Sequence, residues 1–563
     1  MEVYSRYITV TLFSLGDFFM KGITKMKNFK TLGVMLDMSR NAIMTVDSLR
    51  KYMLMLKKMR YNTLLLYCED TYEVEGEPYF GYLRGRYTTE EMKEIDAYGQ
   101  AIGMEVIPCI QTLSHLETTI RWNQFPSDNP RTMMVGEERC YELIDRMFAS
   151  LSSCFTTKKI HIGMDEAWGL GKGKYLEKNG YESMDIIMKK HLDRVCLIGA
   201  KYGLELLMWS DMFFAELTNH KYYCGKTEMP KESKDALPSS VIPVYWDYYH
   251  TDEKSYDDMI YNHKQLTDNF WFAGSAYTSR GFLPNNNYSL RSMIPAINSC
   301  KRNRVDSFIV SMWGDNGCEC SRYATLPVLF YVSEYSVGNT DEQVIKDKFE
   351  KKFGLSFDDY MLIDMANYVA DKAVNKSYIP VNPSKYAFYA DTFNGFTDYM
   401  VAEGGNERYA ALADQLHAVA KKSRKYGYIF DSAAKLCDVL AIKFELGVKL
   451  RQAYREGNRA ELEKFAKTDY PELVRRVSAF AEAFEKQWMK ENKPQGFDCH
   501  DIRLGGLLRR LRYCRKTLNA YLEGKIDRIP ELDEDILPYC TKGVSTALND
   551  ALKTMSVSAQ YIP

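Results

Sequence analysis

Two adjacent carboxylates, Asp165 and Glu166, are the residues of this sequence best suited to do chemistry. They follow the short apolar run 160–164, which is typical of a buried strand. Like charges at this separation repel each other, which raises the pKa of one carboxyl and can keep an acid protonated near neutrality. Neighbouring side chains on a strand point to opposite faces, so both carboxylates reach one ligand only if the chain curls there. The alternative is a helix-capping role, because carboxylates also suit a helix N-terminus.

Apolar, strand-like runs alternate with segments of helical periodicity from residue 31 to about residue 340. Eight such units predict an α/β fold of the (β/α)8 TIM barrel type. A doubly wound sheet is the alternative, but it would favour a glycine-rich turn after the first strand. Residues 36–40, which lie there in this chain, include no glycine. Helices are predicted at 46–59, after Thr45 as N-cap, and at 89–102, ended by Gly103. The predicted strands are 31–38, 62–67, 105–110, 159–164, 205–209, 241–245, 270–276 and 307–313.

The pattern changes near residue 341, where amphipathic helical segments with charged outer faces take over. We therefore predict a short N-terminal segment (1–30), a catalytic barrel (31–340) and an α-helical C-terminal domain (341–563). The helices predicted in this last domain are 341–353, 408–426, 430–455, 458–468, 470–491 and 501–522.

Composition excludes several classes of protein. The 74 basic and 75 acidic residues give a net charge of −1, so no nucleic-acid partner is expected. No run of 18 uncharged apolar residues occurs, so neither a membrane-spanning helix nor a membrane partner is expected. The 13 cysteines lack any framework spacing, which favours free thiols and a cytoplasmic location. The eight histidines show no metal-binding pattern, and the sequence predicts no metal and no cofactor.

Polar and aromatic side chains follow the predicted strands, where a barrel enzyme places its active site. Any one of the three tryptophans among them could equally be a core residue. Together they would form a box around an apolar group or a sugar face. The candidates after strands one to eight are Asp37 and Arg40; Glu69 and Asp70; His115; Asp165 and Glu166; Trp209 and Asp211; Trp246, Asp247, Tyr248 and Tyr249; Tyr277 and Arg280; Trp313 and Asp315.

The string His161-x-Gly163-x-Asp165-Glu166 resembles the signature of glycoside hydrolase family 20, the β-N-acetylhexosaminidases. Met164 stands where that family often has a second glycine. The resemblance covers roughly the first 340 residues, and the helical C-terminus is similar to a bacterial exo-acting subgroup. The small α/β domain that family members often carry before the barrel is expected to be absent or cut short.

The resemblance implies a role for each matching residue. Arg40 would bind sugar hydroxyls, His115 would line the site, and Trp209, Trp246 and Trp313 would form the acetamido pocket. A tyrosine would hold the acetamido oxygen; chain order favours Tyr277, with Tyr248 and Tyr249 as alternatives. The family's Trp-x-Glu is Trp313-Gly314-Asp315 here, which is one methylene shorter.

The implied activity is exo-β-N-acetylhexosaminidase, releasing terminal β-linked N-acetylglucosamine and, as an additional expectation, N-acetylgalactosamine. In this family the substrate's own acetamido oxygen attacks, so Glu166 would be the acid and base and Asp165 the orienting carboxylate. His161 is expected to support these residues and not to act as an acid. The expected partner is an oligosaccharide or glycoconjugate ending in N-acetylhexosamine. The sequence does not determine the oligomeric state, and a homodimer is one of the alternatives.

Two other readings compete with this activity. A non-catalytic amino-sugar-binding or sensory protein on the same barrel is one, because a fold does not determine a function. A chitinase-like barrel is the other, but its Asp-x-x-Asp-x-Asp-x-Glu pattern does not occur.

Overall fold

The computed structural model describes residues 28–214, 221–279, 281–368, 382–395 and 397–537. Residues 1–27, which make up most of the predicted N-terminal segment, and Arg280 lie outside these ranges.

Eight parallel strands close into a barrel in which each strand pairs with its neighbours in the sequence, and the last strand pairs with the first. The predicted TIM barrel is therefore confirmed. Its strands are β1 (Thr31–Asp37), β2 (Thr63–Tyr67), β3 (Glu105–Cys109), β4 (Lys159–His161), β5 (Glu205–Trp209), β6 (Val241–Trp246), β7 (Trp271–Ser275) and β8 (Ser307–Met312). A two-stranded hairpin, Ser127–Asn129 with Thr132–Met133, lies in the loop after β3.

Helices connect the strands and cover the outside of the barrel. The longer ones are α1 (Val46–Lys58), α2 (Thr89–Ile102), α3 (Glu138–Cys154), α4 (Met184–Lys201), α5 (Glu253–Lys264), α6 (Asn286–Arg302) and α7 (Leu326–Ser336). Short helices span Glu117–Ile120, Lys174–Asn179 and Lys231–Ala236.

Helix α2 shows why the sequence predicts its bounds so well. The Thr88 side chain accepts from the Glu91 N–H, and the Glu91 side chain accepts from the Thr88 N–H. This capping box starts the helix. Gly103 ends it in the left-handed conformation, at φ 67°.

Aliphatic and aromatic side chains fill the interior of the barrel. Met35, Leu65, Ile107 and Ile309 are almost completely buried there, because they lie on the strand faces that point inward. Trp209 closes this core at the carboxyl end of β5, where the functional side chains begin.

The chain after the barrel is α-helical, as predicted. Helix α10 is its buried centre, and α9 and α11 pack against it. The long helices are α8 (Glu342–Phe353), α9 (Gly405–Lys422), α10 (Gly427–Arg455), α11 (Tyr470–Glu491) and α12 (Asp498–Leu522). Shorter ones are Phe357–Met361, Pro383–Tyr389, Arg459–Lys464 and Pro530–Asp533. In the part of the chain described here, no helix is both long and apolar enough to cross a membrane.

The helical domain holds the loop after β8 through a group of buried charges, which we call the clamp (Glu319, Lys385, His500 and Arg503). Lys385 Nζ lies 2.7 Å from a Glu319 carboxylate oxygen, and Arg503 lies 3.3 Å from the other. Arg503 also donates to the Asn316 carbonyl at 2.7 Å, and His500 Nε2 donates to the Gly317 carbonyl at 2.9 Å. The clamp therefore fixes the segment that carries Asp315.

Candidate active site

The chain curls where β4 ends, as two carboxylates facing one ligand require. Gly163 and Met164 both have φ 70°, and Glu166 has φ 51°, all in the left-handed region. A Cβ on Gly163 would lie 2.0 Å from the Gln111 side-chain oxygen, so this position needs glycine. Met164 adopts the same conformation with a side chain, at a cost of about 1–2 kcal/mol. The curl ends β4 three residues before the predicted limit and turns both carboxylates toward the barrel axis.

Asp165 lies at the floor of the pocket, with 15% of its side chain exposed. Gln111 Nε2 donates to one of its oxygens at 2.7 Å, and His115 Nε2 lies 3.3 Å from the other. Burial alone would raise the pKa of Asp165, but His115 and Gln111 lower it to about 2. A ring N–H and an amide favour the charged form of Asp165, so Asp165 is not a carboxyl whose pKa is raised by repulsion.

His115 connects the two carboxylates. Its Nε2 lies 3.3 Å from Asp165 and 3.5 Å from Glu166, and these carboxylates raise its pKa to about 10 although burial lowers it. Arg131 approaches Nδ1 at 3.0 Å. A guanidinium can only donate, so Arg131 opposes a second proton on Nδ1, whereas the two carboxylates favour the proton on Nε2 that faces them.

Glu166 lies nearer the solvent, with 42% of its side chain exposed. Its backbone N–H donates to the buried carboxyl of Asp211 at 2.9 Å, and the Trp246 indole N–H donates to the other Asp211 oxygen at 3.3 Å. Burial, together with the charges of Asp165 and Glu166, raises the pKa of Asp211 to about 8. Asp165, Glu166 and Asp211 thus form a group of three interacting carboxyl groups, and the buried Asp211 is the one whose charged form is disfavoured.

Aromatic rings form the wall of the pocket. The Trp209 and Trp313 rings lie 5.9 Å apart, and Trp246 stacks on Tyr248 at 5.3 Å. The Trp209 indole N–H is buried and has no hydrogen-bond partner among the residues described. The Tyr277 hydroxyl donates to the Tyr248 backbone carbonyl at 2.7 Å.

Arg40 follows the carboxyl end of β1 and lines the pocket there. Its guanidinium lies 3.1 Å from Asp37, 3.6 Å from Glu69 and 3.5 Å from Asp315. It also lies over the Trp313 ring, 5.3 Å from the centroid. Asp37 holds Arg40 in place and accepts from the Gly314 N–H at 2.8 Å, which joins the ends of β1 and β8.

The ten residues that the sequence predicts to act on or bind the substrate line one pocket at the carboxyl end of the barrel. They are Arg40, His115, Asp165, Glu166, Trp209, Trp246, Tyr248, Tyr277, Trp313 and Asp315. Tyr249, Ser275 and Ser279 complete the lining. Five other strand-end candidates do not line it: Asp37, Glu69, Asp70, Asp211 and Asp247. Across the ranges described, no group of three or more His, Cys, Asp and Glu side chains is arranged to hold a metal ion.

Sequence reasoning missed the part that Gln111 plays. It donates to Asp165 and to the Tyr67 hydroxyl, and it accepts from the Met164 N–H at 3.0 Å, so it supports both the carboxylate and the curl. Its position directly after β3 was the available signal. Burial lowers the pKa of His161 to about 3, and its Nδ1 accepts from the Gly163 N–H at 3.1 Å, so this ring supports the curl.

Two family models match the chain. "Glycosyl hydrolase family 20, catalytic domain" matches residues 29–259, and "Glycoside Hydrolase 20C C-terminal domain" matches residues 358–549. The chain belongs to glycoside hydrolase family 20. The first match includes the curl after β4, and the second lies in the part of the chain that follows the barrel.

The relatives of this family 20 chain are distant. Hexosaminidase D of Bos taurus is 25% identical over 201 residues, which is 33% of this chain and 54% of that protein. Hexosaminidase D of Homo sapiens is 26% identical over 202 residues, which is 33% of this chain and 38% of that protein. The chain therefore spans about half or less of the curated relatives it matches.

Solved structures that match part of the chain include two bacterial enzymes. One is the exo-β-N-acetylglucosaminidase of Vibrio harveyi, at 14% identity and a TM-score of 0.43, covering 60% of this chain and 58% of that one. Another is the β-N-acetylhexosaminidase of Bacteroides fragilis, at 15% identity and a TM-score of 0.45, covering 58% of this chain and 70% of that one.

Proposed function

We propose that this protein is an exo-acting β-N-acetylhexosaminidase that works by substrate-assisted, retaining hydrolysis. It would release terminal β-linked N-acetylglucosamine, and also N-acetylgalactosamine, from oligosaccharides or glycoconjugates. The observation that carries the proposal is the division of labour between neighbours: Asp165 is deep and held ionised, while Glu166 is half exposed at the rim.

Asp165 has the properties of the orienting carboxylate. Its ionised form accepts the acetamido N–H and stabilises the positive charge that develops as the acetamido oxygen bonds to the anomeric carbon. Gln111 and His115 hold it in one orientation, so no reorganisation is needed when that charge appears.

Glu166 has the position of the acid and base. It gives its proton to the glycosidic oxygen as the C–O bond to the leaving group breaks. In the second step it takes a proton from water, which attacks the same anomeric carbon and reopens the oxazolinium ring. Retention follows, because the two displacements occur on opposite faces.

The aromatic wall fits the acetamido group. Trp209, Trp246 and Trp313 would enclose its methyl group. We assign the acetamido oxygen to Tyr248, because the Tyr277 proton is already donated to a backbone carbonyl. Arg40, which lies over the Trp313 ring, would bind hydroxyl groups of the sugar.

The test is hydrolysis of aryl β-N-acetylglucosaminide and β-N-acetylgalactosaminide without added metal, followed by the variant Glu166→Gln. The variant should lose about 10²- to 10⁴-fold on substrates with poor leaving groups and much less on activated aryl glycosides, which need little protonation. Equal losses on both would remove Glu166 from the acid role. Sugar binding without turnover by the wild type would instead support the non-catalytic alternative.

A further inference from the structure

Two exposed tyrosines and a half-buried tryptophan form a patch on the rim of the barrel, which we call the aromatic platform (Tyr79, Tyr82 and Trp122). Tyr79 and Tyr82 are 44% and 45% exposed. The Trp122 ring lies 5.7 Å from Tyr79 and 5.4 Å from Tyr82, and the two tyrosine rings lie 6.2 Å apart. Exposed aromatic rings in mutual contact mark a binding surface more often than isolated ones do.

The platform lies on the same face of the molecule as the pocket. Its tyrosines come from the loop after β2 and Trp122 from the loop after β3, so they occupy the rim between the end of β1, which Arg40 follows, and the end of β4. Arg84, two residues after Tyr82, donates to the Ser39 carbonyl beside Arg40. The loop that carries Trp122 also carries His115, which contacts both carboxylates.

Buried ion pairs hold the platform in place. Arg139 binds both oxygens of the buried Glu77, two residues before Tyr79, at 2.8 and 2.7 Å. Arg84 binds the buried Asp70 at 3.1 Å. The tyrosines are therefore presented by a loop that is anchored on both sides, and a ligand that stacks on them loses little affinity to ordering the loop.

The different depths of the two carboxylates determine on which side of the bound sugar the leaving group lies. Asp165 is deep and Glu166 is near the solvent, so the group that Glu166 protonates lies on the outer side of the bound sugar. The rest of the substrate must continue from that oxygen across the rim. Aromatic faces bury the apolar C–H faces of sugar rings while the hydroxyl groups stay in water.

We propose that the aromatic platform binds the sugar residues on the reducing side of the scissile bond, so that the protein prefers extended oligosaccharides to short glycosides. This proposal rests on the proposed function. The occupant is a carbohydrate of two or more residues, because three neighbouring rings on two separate loops present more aromatic surface than one sugar ring covers.

The experiment compares kcat/KM on methyl β-N-acetylglucosaminide with kcat/KM on a panel of β-N-acetylglucosamine-terminated tri- and tetrasaccharides of different linkages. Aryl glycosides are avoided, because their own ring could stack on the platform. The variants are Trp122→Ala, the double variant Tyr79→Ala with Tyr82→Ala, and the control Tyr513→Ala. Tyr513 is similarly exposed, at 40%, but lies on α12 of the helical domain.

The wild type should favour at least one extended oligosaccharide over the methyl glycoside. Each platform variant should lose about 3- to 10-fold in kcat/KM on that oligosaccharide, mainly through KM, with little change on the methyl glycoside. Tyr513→Ala should change neither value. Trp122→Phe should recover most of the loss, since a ring is restored; if Trp122→Ala does not fold, the tyrosine double variant carries the test.

Equal losses on both substrates, or no loss on either, would overturn the platform proposal while leaving the hydrolase proposal standing. A change in oligomeric state of the variants with unchanged substrate preference would assign the rings to contact between copies of this chain and would also overturn it. No turnover of any glycoside by the wild type would instead refute the proposed function.

Discussion

Two groups of buried charges lie at the carboxyl-end rim of the barrel, and they are balanced in opposite ways. In the clamp, the carboxylate of Glu319 meets two cations, Lys385 and Arg503. Although burial raises the pKa of Glu319, these cations lower it below its ordinary value. In the pocket, His115 contacts two of the three carboxyl groups, Asp165 and Glu166, and the pKa of the third, Asp211, is raised to about 8.

The difference separates charges that hold the structure from charges arranged for a ligand. In the clamp, the Glu319 carboxylate and both cations contact each other within the protein, so breaking these contacts should affect stability. The pocket has an excess of carboxyl groups facing a cavity, which is what a site that stabilises a positive charge on its substrate requires. Changes there should affect activity and pH response. The following experiments test this contrast.

Among the experiments that test this contrast, Asp165→Asn should have the largest effect on activity. It should lower kcat by about 10²- to 10³-fold with every leaving group, because the charge that stabilises the oxazolinium ion is lost. A thiazoline mimic of that ion should bind the wild type far more tightly than the free sugar does, and most of this advantage should disappear in the variant. Calorimetry and steady-state kinetics measure both. Covalent trapping of the wild type by a 2-fluoro sugar, together with indifference to thiazoline, would show that the enzyme itself provides the nucleophile.

The matching change in the clamp is Lys385→Met, which leaves the Glu319 carboxylate with one cation less. We expect it to lower the free energy of unfolding by about 3–5 kcal/mol in urea titrations, because a buried charge loses its partner. At temperatures where the variant stays folded, kcat/KM should fall less than tenfold.

A second substitution sharpens the clamp result. Adding Glu319→Leu to Lys385→Met should restore part of the lost stability, since no carboxylate is then left buried. A double variant no more stable than expected from the sum of the two single changes would show that the pair is not coupled.

The pH dependence of stability should distinguish the two regions by sign. The pKa of Asp211 is raised from 3.8 to about 8, so its stabilising contribution is present below pH 3.8 and is lost as pH rises toward 8. The pKa of Glu319 is lowered from 4.5, so its contribution is present above that pH and is lost on acidification.

Asp211→Asn should therefore gain stability relative to the wild type between pH 5 and pH 8.5, as measured by the difference in melting temperature. The lost hydrogen-bond acceptor shifts the variant by a similar amount at both pH values, so it cancels in the comparison. Glu319→Gln serves as the control and should show no such relative gain over this range. A constant difference between Asp211→Asn and the wild type would mean that Asp211 is already ionised at pH 5.

The smallest effect is expected from Asp315→Asn. Half of this side chain is exposed, and it lies 3.5 Å from Arg40, so solvent screens the interaction. We expect kcat/KM to fall less than about fivefold. A much larger loss, confined to one of the two amino sugars, would show that Asp315 binds a sugar hydroxyl despite being one methylene shorter than the family's glutamate.

The sequence by itself determined the barrel, the order of its strands and the helical nature of the rest of the chain. These properties depend on local patterns: apolar runs, helical periodicity, and caps such as Thr88 and Gly103 that act within a few residues. It also selected the pocket residues, because the ends of parallel strands must meet at one face of a barrel.

Only the tertiary structure decided how those residues differ from one another. Asp165 and Glu166 are neighbours with equal charge, and the contacts that lower the pKa of Asp165 come from Gln111 and His115, about 50 residues earlier in the chain. The raised pKa of Asp211, the aromatic platform and the clamp likewise depend on groups from separate loops. Ionisation and packing are set by what surrounds a side chain in space, and distance along the chain does not reveal those surroundings.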